Sequence, residues 1–330
     1  MRPEPLLELE DVGRTFDVSK PWLNRLLERE PRRRLHAVDG VSISIRRGET
    51  LALVGESGCG KSTLARALVG LNRANSGSVT LEGRELTRLT RAELRPLRKQ
   101  LQLVFQDPYA SLNPRLSIRS TLEEAVKLHR QVTRAELDAR IAELLTQVGL
   151  DPALQERFPH EFSGGQRQRI SVARSLAVEP RILLCDEVTS ALDVSVQAQL
   201  IELLKSLQRS LGLTYLFITH DLGVVRSVAH RVAVMYLGQI VEFAPTEAFF
   251  EQPAHPYSQA LLGSVPRLRP EAVERELLRG EVPSQVNPPV GCRFHPRCPA
   301  RFDRCDKEAP ELYPLPRAGE SRCFLHDPAR

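Results

Sequence analysis

The stretch "GESGCGKST", residues 55–63, has the residue types and spacing to hold a polyphosphate. Gly58 and Gly60 let backbone N–H groups turn inward, Lys61 reaches the β- and γ-phosphates, and the Ser62 hydroxyl coordinates Mg2+. Gly55, Glu56, Ser57, Cys59 and Thr63 complete the loop. A chance match in a glycine-rich loop is the plain alternative. It loses on context, because the apolar run "LALV" precedes the loop and "STLARALVGL" follows it, with Leu64, Leu68 and Leu71 on one helical face. A second loop of similar build, "HEFSGGQRQR" at 160–169, sets Ser163, Gly164, Gly165 and Gln166 at a helix start, with Arg167 and Arg169 adding charge. One bound nucleotide needs one cradle, so this second loop needs another occupant.

Further groups suit the same chemistry. Asp186, ending "RILLCD", is placed to hold the Mg2+ shell, and Glu187 to polarise an attacking water. Two solvated acids at a strand end would be the bland reading. His220 closes "TYLFITH", where it could sense a γ-phosphate or serve a helix cap. Gln106 in "LVFQDP" is, by itself, a polar strand end. Cys59 lies beside Lys61 and a helix N-terminus, a setting that stabilises a thiolate, so alkylation is expected to inactivate.

These residues need strands and helices to aim them. "LALV" (51–54), "ILLC" (182–185) and "YLFI" (215–218) are unbroken apolar runs, as in a parallel sheet covered on both faces. "VSISI" (41–45) and "SVTLEG" (78–83) suit a half-exposed antiparallel sheet. From about 110 to 178 the period is helical and "AELDARIAELLTQVGL" ends at Gly149, which predicts an inserted helical subdomain. "RVAVMYLGQIVEF" (231–243) reads as a hairpin, and no repeat of 20–50 residues is visible. The expected fold is α/β, a doubly wound core with an antiparallel subdomain, a helical insertion and a small cysteine-rich extension. Residues 1–250 form the first unit and 251–330, rich in proline, the second.

Bulk properties narrow the classes. The chain has 330 residues, 42% of them apolar, and a net charge of +5, mild for a dedicated nucleic-acid binder. Arg32, Arg33, Arg34, Arg46 and Arg47 form its densest basic patch, either a solvated loop or a face toward anionic lipid. No apolar run approaches a membrane span, and "MRPEPLLELE" is no signal peptide. A cytosolic chain that meets a membrane only through other subunits is expected.

In their order and spacing, "GESGCGKST", "VFQDP", "FSGGQRQR", "ILLCDE", "SALD" and "THD" resemble the nucleotide-binding subunit of an ATP-binding-cassette transporter, over residues 10 to 250. The resemblance implies ATP as ligand, Mg2+ held near Ser62, Gln106 and Asp186, and catalysis by Lys61, Glu187 and His220. It makes Ser163, Gly164, Gly165 and Gln166 the signature, Asp193 the D-loop acid, and Phe16 in "RTFDV" an adenine-stacking ring, with a plain core phenylalanine as the rival. Two such subunits would face head to tail, each signature capping its partner's ATP. Val188 stands where the family usually has proline, which would loosen the following turn, and Phe162 where it usually has leucine. Neither change removes a catalytic group, so an active ATPase is expected.

Beyond 290 the chain sets Cys292, Cys298, Cys305 and Cys323 in a C-x5-C-x6-C-x17-C array. Cytosolic disulfides are disfavoured, and zinc usually wants tighter pairs, although His295 and His326 could join a mixed site. Four spaced thiolates are compatible with a cubane cluster. "HPYSQALL" and "PSQVNPPVGCRFHPRC" look like the C-terminal extension of oligopeptide and dipeptide importer ATPases, a resemblance that implies a [4Fe–4S] cluster on these cysteines. It also implies a sister ATPase, two permease subunits, an extracytoplasmic peptide-binding protein, and a peripheral place on the cytoplasmic face of the inner membrane. Other cargoes (a metal chelate, glutathione, an antimicrobial peptide) leave no mark on this subunit. A soluble ATPase of DNA repair or translation fits badly, since the chain holds one cassette and a short helical insert.

Overall fold

A computed structural model of the chain describes residues 4–28, 31–107, 111–128, 132–264 and 280–329. Pro108 of "VFQDP", the start of the helical region at 110, and 265–279 of the extension lie outside these. Four strands, β1 (Pro5–Asp17), β2 (Arg34–Arg46), β4 (Ser76–Leu81) and β5 (Arg84–Glu85), form an antiparallel sheet in the order β2-β1-β4-β5. The alternation in "VSISI" has its expected outcome: Val41, Ile43 and Ile45 are buried, whereas Ser42 is exposed.

The second sheet has eight strands. β6 (Leu101–Val104), β7 (Ile182–Asp186), β8 (Thr214–Ile218) and β3 (Thr50–Val54) run parallel, and β9 (Arg231–Tyr236) continues parallel to β3. Every residue of β3, β7 and β8 is buried, as their unbroken apolar runs require. β10 (Gln239–Pro245) returns antiparallel to β9 through Leu237 and Gly238, both at positive φ (44° and 83°), the backbone of a tight hairpin.

The helical insertion packs helices Ile118–Lys127, Arg134–Gln147 and Gly164–Leu176 into one core with Phe162, so the departure at that position fills space. Gly149, at φ 70°, ends the second helix as expected. One helical expectation fails. The helix after the phosphate loop stops at Leu68; Gly70 takes φ 70°, and Leu71 is 58% exposed instead of sharing the buried face of Leu64 and Leu68.

The extension is continuous with the core. Its strand β12 (Glu320–Ser321) pairs with β10, and β11 (Tyr313–Pro314) pairs with β12, giving the order β11-β12-β10-β9-β3-β8-β7-β6. Phe294 and Tyr257 share a buried cluster with Val54 and Tyr236.

Candidate active site

Parallel strands present their carboxyl ends together, and the chemistry-bearing residues follow directly from those ends. Gly55 follows β3, Gln106 lies just past β6, Asp186 ends β7 and His220 lies just past β8. The Ser62 hydroxyl donates to Asp186 Oδ1 at 2.9 Å. Asp186 is buried, and that burial, helped by neighbouring Glu187, raises its carboxyl above the usual range while the Ser62 bond opposes the rise. Gln106 Nε2 donates to Glu187 Oε2 at 3.1 Å, and His220 Nδ1 lies 3.6 Å from Glu187 Oε1. Glu187 is therefore flanked by both residues, at φ 50°, a backbone conformation that costs energy away from glycine. Its N–H donates to Ile218 O at 2.9 Å, tying it to β8.

Lys61 is buried, and its ammonium donates to the carbonyls of Gly55 (2.8 Å) and Glu56 (2.9 Å). A side chain at Gly55 would collide with the Met235 carbonyl, and one at Gly60 (φ 114°) with the Ala37 carbonyl, so these glycines are required by close approach. Cys59 departs from expectation: burial pushes its thiol up despite the pull of Lys61, so no reactive thiolate is favoured there. The donors around Ser62 and Asp186 are oxygens, which suits a hard cation such as Mg2+.

The second loop is arranged differently. Ser163 caps the helix Gly164–Leu176: its Oγ accepts from Gln166 N–H (3.3 Å), and Gln166 Oε1 accepts from Ser163 N–H (3.0 Å). Gly165 lets the helix lie against Val196. Arg167 and Arg169 each hydrogen-bond to neutral acceptors of their own chain. Arg167 is buried with Nε donating to Pro159 O (2.7 Å), and Arg169 donates to Gln199 Oε1 (3.1 Å). Among the described residues no hydrogen bond joins Ser163–Gln166 to Gly55–Thr63. Asp193 caps the helix Val194–Leu211, and the Val196 N–H holds its carboxyl below the usual range.

Phe16 is half-buried rather than core, with the Arg14 guanidinium 4.5 Å from its ring centre. The turn after Glu187 is not loosened by Val188: that side chain is buried, and Ser190 N–H closes on Glu187 O at 3.1 Å.

Residues 38–190 match the ABC transporter family, and 241–305 the oligopeptide/dipeptide transporter C-terminal region. The oligopeptide transport ATP-binding protein AppF of Bacillus subtilis is 47% identical over 327 residues, 98% of this chain and 98% of that one. The chain belongs to the ABC transporter family. The oligopeptide transport ATP-binding protein OppF of Escherichia coli K12 is 46% identical over 313 residues, covering 93% of this chain and 92% of its own. Among solved structures, the dimeric post-hydrolysis state of the ATP-binding cassette MJ0796, bound to ADP and Pi, superposes with a TM-score of 0.64 at 27% identity. That match covers 73% of this chain and 98% of that one. As an ABC ATPase the chain uses ATP.

The cysteine array gives this ABC ATPase no assembled metal site: among the described residues no group of three or more His, Cys, Asp or Glu is arranged to hold an ion. Burial pushes the Cys292 and Cys298 thiols up to about 11, with neighbouring cysteines pushing the same way. Sequence reasoning missed Ser190, whose Oγ lies 3.4 Å from Gln106 Nε2, and three residues of the extension that touch the phosphate loop: Tyr257, Gln285 and Arg297. "HPYSQALL" contains Tyr257 and "PSQVNPPVGCRFHPRC" contains Gln285 and Arg297, but neither stretch signals contact with the loop.

Proposed function

We propose that this ABC ATPase is the energy-coupling subunit of an importer for dipeptides or oligopeptides. Two ATPase subunits sandwich ATP, closure follows binding, and hydrolysis reopens the pair. The carrying observation is that Lys61, Ser62, Gln106, Asp186, Glu187 and His220 gather at one sheet end while Ser163–Gln166 bonds to none of them. A loop left out of its own chain's site fits a partner's nucleotide, and the dimeric, ADP-bound cassette relative supports that reading.

In the mechanism, backbone N–H groups of Gly58–Ser62 and the Lys61 ammonium bind the phosphates. Ser62, Asp186 and Gln106 would hold Mg2+, which when bound neutralises charge developing on the phosphates. Glu187 orients the attacking water and accepts its proton at a carboxylate oxygen; Gln106 holds that carboxylate by a hydrogen bond and His220 lies beside it. Phe16 stacks on the adenine, and Asp193 sits at the junction of the pair.

The counterpart is a sister ATPase, forming a heterodimer docked on two permease subunits served by a peptide-binding protein. Among the described residues no helix is long and apolar enough to cross a membrane, so attachment at the cytoplasmic face runs through the permeases. The cassette spans 1–250 and the extension 251–330. For a [4Fe–4S] cluster the support is the C-x5-C-x6-C-x17-C array itself. Iron and sulfide content of anaerobically purified protein decides it.

The test is Glu187→Gln in the assembled complex. Turnover should fall by about 10²–10⁴ while ATP binding persists and a nucleotide-locked pair accumulates. Undiminished hydrolysis would remove Glu187 from the mechanism. Failure of peptide uptake to depend on this chain would remove the cargo assignment.

A further inference from the structure

Glu56 carries a carboxylate inside a loop built to bind anions, and three distant residues of the extension converge on that loop. Arg297 forms a bidentate pair with it, Nη1 to Oε2 at 2.8 Å and Nη2 to Oε1 at 3.0 Å. The Tyr257 hydroxyl accepts the Glu56 N–H at 2.9 Å. Gln285 Nε2 donates to the Gly58 carbonyl at 2.9 Å, and the Gln285 carbonyl accepts from His36 N–H at 3.1 Å, which fixes Gln285 to β2. The rings of Tyr236, Tyr257 and Phe294 pack tilted or edge-to-face with centroids 4.6 to 5.4 Å apart, joining extension and cassette.

We propose that the extension clamps the phosphate loop and that Arg297 is a positioning residue for ATP binding, acting through Glu56. This rests on the reading of Gly55–Thr63 as the ATP cradle. Two effects follow from the geometry. The guanidinium neutralises a carboxylate that would otherwise repel the incoming phosphates, and its planar fork, with the side chain only 5% exposed, fixes the direction of the Glu56 side chain. Gln285 holds the Gly58 carbonyl against the extension, so that this acceptor does not turn toward the phosphates. Arg297 ends the turn His295–Arg297, one residue before Cys298. Arg297 therefore links the cysteine segment directly to the cradle.

Equilibrium titration of the full-length chain with a fluorescent ATP analogue, together with ATPase kinetics of the assembled complex, tests the clamp. Arg297→Ala should weaken binding about tenfold and raise KM alike, with kcat changed by less than about twofold, because removing one partner leaves a poorly solvated carboxylate beside the phosphates. Adding Glu56→Gln to Arg297→Ala should recover most of the lost affinity. Arg297→Lys, which keeps the charge and loses the fork, should fall between. A merely structural arginine would lower stability without that rescue. Unchanged affinity in Arg297→Ala, or no recovery in the double variant, overturns the proposal. Should Arg297→Ala not fold, Tyr257→Phe and Gln285→Ala carry the test: each should weaken binding by about two- to fivefold, as loss of one hydrogen bond does, and no change in either overturns it. If the unaltered chain binds no ATP analogue, the cradle assignment itself has failed and the clamp falls with it; if it binds and Arg297→Ala matches it, only the clamp fails.

Discussion

The molecule carries two glycine loops that each open a helix, and they are finished in opposite ways. Gly55–Thr63 exposes Ser57 and Gly58 at its tip but is packed at its root: Lys61 and Cys59 are buried, Gly55 and Gly60 approach the backbones of Met235 and Ala37, and Gly238 N–H bonds to Cys59 O. Ser163 and Gly164 are exposed, and Ser163 spends its side chain on its own helix. The same local motif is completed by its own chain in one place and left open in the other. Donor-rich helix starts are equivalent as anion sites by composition. Packing separates them, and the open one is the one a partner can use.

The largest expected effect comes from placing a methyl group in the closed loop. Gly60→Ala puts Cβ into the Ala37 carbonyl at φ 114°, so stability should drop by about 3 kcal/mol or more and ATP binding should be lost. Thermal melts and nucleotide titration read both, and a folded, ATP-binding variant would break the contrast. In the open loop, the Cβ of Gly164→Asp would meet nothing nearer than Leu192 at 3.8 Å, and its carboxylate suits a helix N-terminus. Stability should hold within about 0.5 kcal/mol, and the chain's own ATP binding should persist. Hydrolysis in the pair should fall more than about tenfold, since in the proposed sandwich the new charge would face the partner's γ-phosphate. Equal loss of own-chain binding would show that the loop belongs to its own site.

The first loop was legible because strand, glycines and helix are contiguous in sequence, and period alone distinguished β2 from the buried β3, β7 and β8. The second loop's residues were legible, but their engagement was not. The sequence showed the charge of Arg167 and Arg169 but not its placement: Arg167 is buried against Pro159 O and Arg169 reaches Gln199, because long side chains follow packing that no local pattern records. Cys59 misled similarly: a neighbouring lysine and a helix start favour a thiolate, but burial, visible only in three dimensions, outweighs them. The contacts of Tyr257, Gln285 and Arg297 with the loop join residues some 200 or more positions apart and leave no periodic trace.

Acid should act on one loop and spare the other. His255 is fully buried, and that burial, with His326 nearby, lowers its pKa from 6.5 to about 3. Its neutral ring accepts the Tyr257 N–H at 3.0 Å, at the root of the helix that aims the Tyr257 hydroxyl at Glu56. The stabilisation is present above pH 6.5 and is lost as pH falls toward 3, with a limiting slope of about 1.4 kcal/mol per unit. Buried Glu242, whose carboxyl is raised by burial, works in the opposite sense as it takes up its proton. Melts against pH should show a slope that His255→Asn flattens, with nucleotide affinity falling over the same range. A slope unchanged in the variant would place the acid sensitivity elsewhere.

The smallest effect belongs to Ser163→Ala. The hydroxyl accepts the Gln166 N–H at 3.3 Å, a long bond, and the reciprocal bond from Ser163 N–H to Gln166 Oε1 survives the change. The helix should therefore lose about 0.5–1 kcal/mol, the lower part of the range for an N-cap, read as a small fall in melting temperature. If Ser163 did nothing but cap, hydrolysis in the pair would follow that loss and remain near normal. A capping side chain at the front of an open loop has a second use, however: its hydroxyl can leave Gln166 and donate to a phosphate oxygen presented by the partner. Paired turnover should then fall several-fold, beyond what a loss of 0.5–1 kcal/mol in one helix explains, while own-chain ATP affinity stays constant. Turnover that tracks stability alone would reduce Ser163 to a helix cap and leave phosphate binding to the open loop's other donors.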